Sequence, residues 1–199
     1  MIYSQLFHET FADDYNVVKI KETDIKKLDN DELVLKVLYS PINPADVNRI
    51  EGRYGIQPPM PAVLGNEGVC QVVEVGKGVK KFKIDDLVLF PFGLQFWSEY
   101  LVAPENKLIK LPKEIDHQQA AMLSVNPATA YRMLTDFAKL EEGDWVVLNA
   151  ANSSVGSLLI QLIKHFKCHS YCFFRRKEAK EDLKSLGADI VVLEDENLE

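Results

Sequence analysis

The residues best placed for chemistry are small and polar: Asn152, Ser153, Ser154, Val155 and Gly156, in a run that begins at Ala150. They follow the apolar stretch Trp145–Asn149 and precede a segment whose Leu158, Leu159, Leu162 and Ile163 repeat at helical spacing. A strand feeding a helix through small residues presents free backbone N–H groups and the positive end of the helix dipole, which together favour a phosphate. The chemistry is therefore dinucleotide binding. In the G-x-x-G-x-x-G frame the three positions hold Ala150, Ser153 and Gly156, so only the last glycine survives. Arg175 and Arg176 stand about 20 residues past that glycine, where an NAD site would carry an acidic residue. A guanidinium there suits a 2′-phosphate, so the stretch favours NADPH. A solvated basic helix start is the competing reading of the two arginines.

These residues need a sheet to hold them. Trp145–Asn149 reads as a buried, fully covered parallel strand, Ser170–Phe174 as the second and Asp189–Leu193 as the third, after a helix ending at Gly187. The pattern is βαβαβ, half of a doubly wound parallel sheet, and the sheet is expected to be truncated at that point. Its apolar face and its edge would then be uncovered, so a chain of this length is expected to associate.

The first part of the chain is different. Val17–Lys21, Glu32–Val37, Val69–Val75 and Asp86–Phe90 are strand-like runs punctuated by proline and glycine, with one short helix from Pro44 to about Glu51. Helical pattern returns at His117–Ala121 and Ala128–Leu140. The chain divides accordingly into 1–118 and 119–199.

The totals narrow the function. A net charge of −7 over 199 residues argues against nucleic-acid binding. No apolar run approaches the ~20 residues of a membrane span. The first residues lack a signal or presequence pattern, which predicts a cytosolic protein; a mitochondrial one is the alternative if a presequence has been removed. Cys70, Cys168 and Cys172 are expected to be buried reduced thiols, with no zinc-ligand spacing around them.

Several motifs carry a family resemblance. Ser40-Pro-Ile-Asn-Pro-Ala-Asp-Val-Asn48, Gly52-Arg-Tyr-Gly55, Pro61–Val69, Asn126-Pro-Ala-Thr-Ala-Tyr131, Asn149–Gly156 and Leu183–Asp189 together resemble the medium-chain dehydrogenase/reductase superfamily, and within it the mitochondrial-type 2-enoyl thioester reductases. The resemblance implies a GroES-like β-rich catalytic domain followed by a Rossmann domain. It also implies reduction of trans-2-enoyl thioesters, on coenzyme A or acyl carrier protein, by NADPH in fatty-acid synthesis, and a homodimer when the chain is full length. Asn66 and Pro41 stand where the superfamily's zinc enzymes carry a histidine and a cysteine, which implies a zinc-independent member with no metal.

By the same matching Tyr54 is the catalytic residue, hydrogen-bonding the thioester carbonyl or assisting proton delivery. Asn126 and Thr129 approach the nicotinamide or the carbonyl, with helix capping the other role for Asn126. Asn43 and Asp46 lie at the substrate cleft, where turn and capping duties would explain them as well. Two further readings stay open: an NADPH-dependent quinone or enone reductase, and a non-catalytic fragment.

Overall fold

The computed structural model describes residues 1–25, 27–90 and 95–194. The chain forms two compact units, Met1–Ser124 and a second beginning at Val125.

The first unit is built from β1 (Ile2–His8), β2 (Lys19–Asp24), β3 (Glu32–Tyr39), helix α1 (Pro44–Ile50), β4 (Ala62–Val63), β5 (Val69–Val75), β6 (Leu87–Leu89), β7 (Tyr100–Pro104), β8 (Ile109–Lys110) and helix α2 (His117–Ala120). Its strands make one sheet in the order β2-β1-β4 and another in the order β7-β3-β5-β6-β8, all pairs antiparallel. The expected run Val17–Lys21 is corrected to β2, because Tyr15–Val17 closes a 3₁₀ turn under the Asp14 carboxylate.

Leu33, Leu35, Cys70, Val72, Val88, Phe96 and Ala103 fill the core of the five-stranded sheet. A second cluster joins Val69, Leu87, Leu89 and Leu111 to Ala120 and Ala121. That packing carries the first unit past the division expected between 118 and 119.

Gly65 fixes one close approach. It has φ +92°, and a Cβ there would lie 2.5 Å from the Trp97 backbone nitrogen. An L side chain would meet both the strained dihedral and that backbone.

The second unit contains α3 (Asn126–Thr135), β9 (Trp145–Leu148), α4 (Ser154–His165), β10 (His169–Phe174), α5 (Lys180–Ser185) and β11 (Ile190–Leu193). The three strands are parallel in the order β11-β10-β9, which is the βαβαβ unit read from the sequence. Helix α3 starts earlier and stops earlier than the expected Ala128–Leu140. Pro127 suits a first turn, and the side chain of Asp136, the C-cap residue, pairs with Arg132.

Leu148, Cys172 and Phe174 pack with Ala130, Leu134, Leu159, Ile160, Ile163 and Leu183 from the helices into one core. Strand β9 is not the fully covered strand expected. Among the described residues it lies at an edge, and its alternate residues Trp145 and Val147 are 55% and 66% exposed. All three helices send their apolar residues to the side of the sheet that carries Leu148, Cys172 and Phe174. The three cysteines are buried and not bonded to one another.

No helix among the described residues is long and apolar enough to cross a membrane.

Candidate functional site

In the first unit the site is organised by α1. Asn43 precedes the helix, Pro44 occupies its first turn and Asp46 reaches back to accept from the Asn43 backbone N–H at 2.8 Å. This satisfies a donor that the helix itself cannot. The Asn43 side chain is turned elsewhere, donating to Glu67 Oε1 at 2.8 Å, and Ser124 Oγ donates to the other Glu67 oxygen at 3.1 Å. Asn66 Nδ2 donates to Asp46 Oδ1 at 2.6 Å. Asp46 and Glu67 are both fully buried, so the two carboxylates survive in the interior through these donors.

Burial pushes the Asp46 carboxyl above its ordinary range. The donors from Asn43 and Asn66 and the charge of Arg49 oppose the rise, and the charge of Glu67 adds to it. Asn43 and Asp46 thus form one polar cluster with Asn66 and Glu67. Pro41 O accepts from Trp97 Nε1 at 3.2 Å, so Pro41 and Asn66 are both engaged in internal hydrogen bonds.

Tyr54 comes off the end of the same helix. Its backbone N–H bonds Asn48 O at 3.1 Å, and the reversal runs through Gly52 at φ +74°. The phenol is 37% exposed and its hydroxyl has no partner among the described residues. Two side chains hold the residue. Arg49 places its guanidinium carbon 5.0 Å from the ring centroid, and Gln57 Nε2 donates to the Tyr54 carbonyl at 2.7 Å. Sequence reasoning passed over both. For Arg49 the available signal was its five-residue offset from Tyr54 across the Gly52 turn.

In the second unit the turn between β9 and α4 has the features a phosphate requires. Ser153 caps α4 through Oγ on the Gly156 N–H at 3.1 Å. The N–H groups of Ser154 and Val155 have no acceptor among the described residues, and both serines are exposed. Gly156 is buried where a Cβ would lie 2.5 Å from the Ala151 carbonyl oxygen, so this last position of the fingerprint admits only glycine. Residues and pyrophosphate fit: free donors, an aligned twelve-residue helix and no side chain in the way.

With its amide oxygen toward Arg176, Asn152 accepts from Nε and Nη2, both at 3.0 Å. The pair lines a cavity of about 430 Å³ together with Ser157, Glu178, Asp182 and Leu186. Arg175 is exposed and has no hydrogen-bond partner among the described residues. The two arginines are therefore not equivalent.

Asn126 opens α3, which starts without a side-chain cap, so the capping alternative does not hold for it. Thr129 is exposed, with Oγ1 donating to Val125 O at 2.7 Å. Neither is brought against the 152–156 turn by a hydrogen bond among the described residues.

Residues 29–113 match the alcohol dehydrogenase GroES-like domain family. Over 196 residues the chain is 41% identical to the mitochondrial enoyl-[acyl-carrier-protein] reductase of Mus musculus, covering 96% of this chain and 52% of that protein. The chain is thus similar to the 2-enoyl thioester reductases of the medium-chain dehydrogenase/reductase superfamily. The Arabidopsis thaliana reductase of the same name is 42% identical over 182 residues, covering 89% of this chain and 46% of that protein. The chain thus spans about half the length of the curated relatives it matches.

Among solved structures, the mitochondrial 2-enoyl thioester reductase Etr1p/Etr2p heterodimer from Candida tropicalis superposes with a TM-score of 0.88 at 28% identity, covering 97% of this chain and 61% of that one. A complex of Etr1p with NADP and crotonyl-CoA gives the same TM-score, identity and coverage. A Bacillus thuringiensis protein described as a putative NADPH:quinone reductase reaches 0.89 at 30% identity, covering 97% of this chain and 58% of that one.

The family fold fits the two units, a GroES-like β-rich body and a partial Rossmann sheet.

Proposed function

We propose that the protein carrying this chain reduces trans-2-enoyl thioesters with NADPH, the first unit serving as the catalytic domain and the second as the nucleotide domain. The observation that carries the reading is Tyr54: a partly exposed tyrosine whose hydroxyl has no partner among the described residues, held at its ring by Arg49 and at its carbonyl by Gln57. A hydroxyl left free on a fixed ring is suited to meet a substrate oxygen.

Bound at the β9–α4 turn, the dinucleotide supplies the hydride that adds to the β-carbon of the enoyl group. Ser154 and Val155 N–H groups bind its pyrophosphate, Gly156 admits it, and Arg175 takes the 2′-phosphate. Arg176 supports the turn through Asn152. Asn126 and Thr129 serve the nicotinamide end or the substrate carbonyl.

As hydride arrives, charge collects on the thioester oxygen, and the Tyr54 hydroxyl donates to it there. A proton from water then adds to the α-carbon, giving the saturated thioester. Asn43 and Asp46 shape the cleft from beneath.

The similar proteins are named for enoyl-[acyl-carrier-protein] reduction and mitochondria, which favours the thioester and a mitochondrial setting over the cytosolic one expected from the N-terminus. Coenzyme A and acyl carrier protein both remain within the proposal as carriers. So does a two-subunit assembly, since one similar structure is a heterodimer.

The quinone reading has its own support, because the Bacillus thuringiensis protein superposes as well as Etr1p does. One assay separates the two: NADPH oxidation with crotonyl-CoA beside the same assay with a simple quinone. Thioester turnover that falls in Tyr54→Phe is the expected result. Quinone turnover alone, or full thioester turnover in Tyr54→Phe, overturns the assignment.

A further inference from the structure

Arg49 is a charged side chain beside Tyr54 to which the mechanism gives no task. It stands in the last turn of α1, and its neighbour Arg53 is fully engaged, bonding Asp13 at 2.8 Å and Glu51 at 3.3 Å. Arg49 has no such partner among the described residues. Its Nε is buried with no hydrogen bond to any of them, and its guanidinium lies over the Tyr54 ring.

Asp46, one helical turn back, does not neutralise it by contact. The two Asp46 oxygens are taken by Asn43 N–H and Asn66 Nδ2. A cation with a desolvated nitrogen and no acceptor is costly to keep in place. What it has instead is the face of a tyrosine, where a guanidinium is attracted by the ring quadrupole, more strongly where water is excluded.

We propose that Arg49 is the positioning residue of Tyr54: it clamps the phenol from one face and keeps a positive charge over the ring whose hydroxyl donates to the substrate oxygen. The inference rests on the thioester reading above for its catalytic part. The backbone of Tyr54 is tied to the same helix, through its N–H on Asn48 O, so Arg49 and Tyr54 are carried on one rigid piece. Between them lies Gly52, and beyond Tyr54 lies Gly55, which has open space around it. Such a segment leaves the ring direction to be set by side chains, and Arg49 sets it. When the substrate oxygen takes up charge, the phenol that shares a proton with it becomes more electron-rich. A cation already over the ring gains attraction at that moment, which is stabilisation specific to the transition state.

A basic residue at a helix C-terminus also answers the helix dipole, and that role alone would involve no Tyr54 hydroxyl. The test separates them. Arg49→Met keeps the aliphatic stem and removes the charge, and Arg49→Lys restores the charge. In the complete protein with crotonyl-CoA, Arg49→Met lowers kcat on the order of tenfold with the KM for NADPH unchanged, and Arg49→Lys recovers most of it. In a Tyr54→Phe background the Arg49→Met change has no further effect. An equal loss in both backgrounds, or none in either, overturns the proposal.

A second measurement needs no turnover. With ¹³C-labelled tyrosine, the Tyr54 ring resonance shifts in Arg49→Met and returns toward its original position in Arg49→Lys. A resonance that stays fixed in both variants overturns the clamp, whatever the substrate is. Should Tyr54→Phe turn over fully while the resonance shifts as described, the function assigned to Tyr54 fails and the clamp stands.

Discussion

Asn66 donates its amide to the buried carboxylate of Asp46 at 2.6 Å. The bond reaches from the start of the β5 approach to α1, and it stands where the superfamily's zinc enzymes carry a histidine. Its removal exposes what burial costs. The Asp46 carboxyl is already raised by burial, with Asn66 among the groups holding it down. A carboxyl raised in the folded state contributes stability that is complete below its unfolded value, about 3.9, and is lost as pH rises through the folded value. Asn66→Ala raises it further. The variant should lose about 1–2 kcal/mol near pH 7 and less near pH 4, measured by urea unfolding at the two pH values.

Asp86 gives the opposite sign. Its burial works against the charged form, but Lys110 Nζ at 2.6 Å and the Lys83 N–H at 3.0 Å prevail, so its carboxyl is held below the usual range. Such a group adds stability above its unfolded value that disappears as pH falls through the folded one. Lys110→Met should move the acid-unfolding midpoint of the first unit to higher pH. Lys110 is half exposed, which discounts the pair, so the loss at neutral pH should be about 1 kcal/mol.

Arg175 and Arg176 should separate in a binding experiment. Arg176 holds Asn152 in the turn, so Arg176→Ala should weaken NADPH and NADH alike. Arg175 has only solvent to lose, and Arg175→Ala should weaken NADPH about tenfold or more while leaving NADH unchanged. Dissociation constants for both nucleotides check this. Equal losses in Arg175→Ala would remove it from the 2′-phosphate.

Gly156→Ala drives a Cβ into the Ala151 carbonyl, which is backbone and cannot swing aside. A cost of about 1–3 kcal/mol is expected, visible as a lower melting temperature of the second unit, with NADPH affinity falling too. Unchanged melting would mean that α4 shifts freely on the sheet.

Much of the fold was legible because its signals are local. Trp145–Leu148, Ser154–His165 and His169–Phe174 announce themselves by apolar runs and helical spacing, and Gly187 by its position after a helix. What was misread depends on distant chain. Trp-Val-Val-Leu looks like a covered strand, but whether Trp145 and Val147 are covered is decided by what lies across the sheet, which periodicity does not encode. The end of α3 at Thr135 was missed because the residues after it are as helix-compatible as those before. In the candidate site the residue types were readable and their pairings were not. Asn43 with Glu67 and Asn66 with Asp46 are joined only when α1 folds against the β5 approach. Arg49 meets Tyr54 only through the Gly52 turn, which no periodicity signals.

The two tryptophans of the chain fall one to each unit. Trp97 is partly buried against Gly65, with its indole N–H on Pro41, whereas Trp145 is largely in water and stacked on His169 at 4.8 Å between ring centroids. Their surroundings differ enough in polarity that Trp97 should emit at shorter wavelength than Trp145. The protein therefore carries an intrinsic two-colour fluorescence probe, in which loss of the blue component tracks one unit opening and changes in the red component track the other, with no label added.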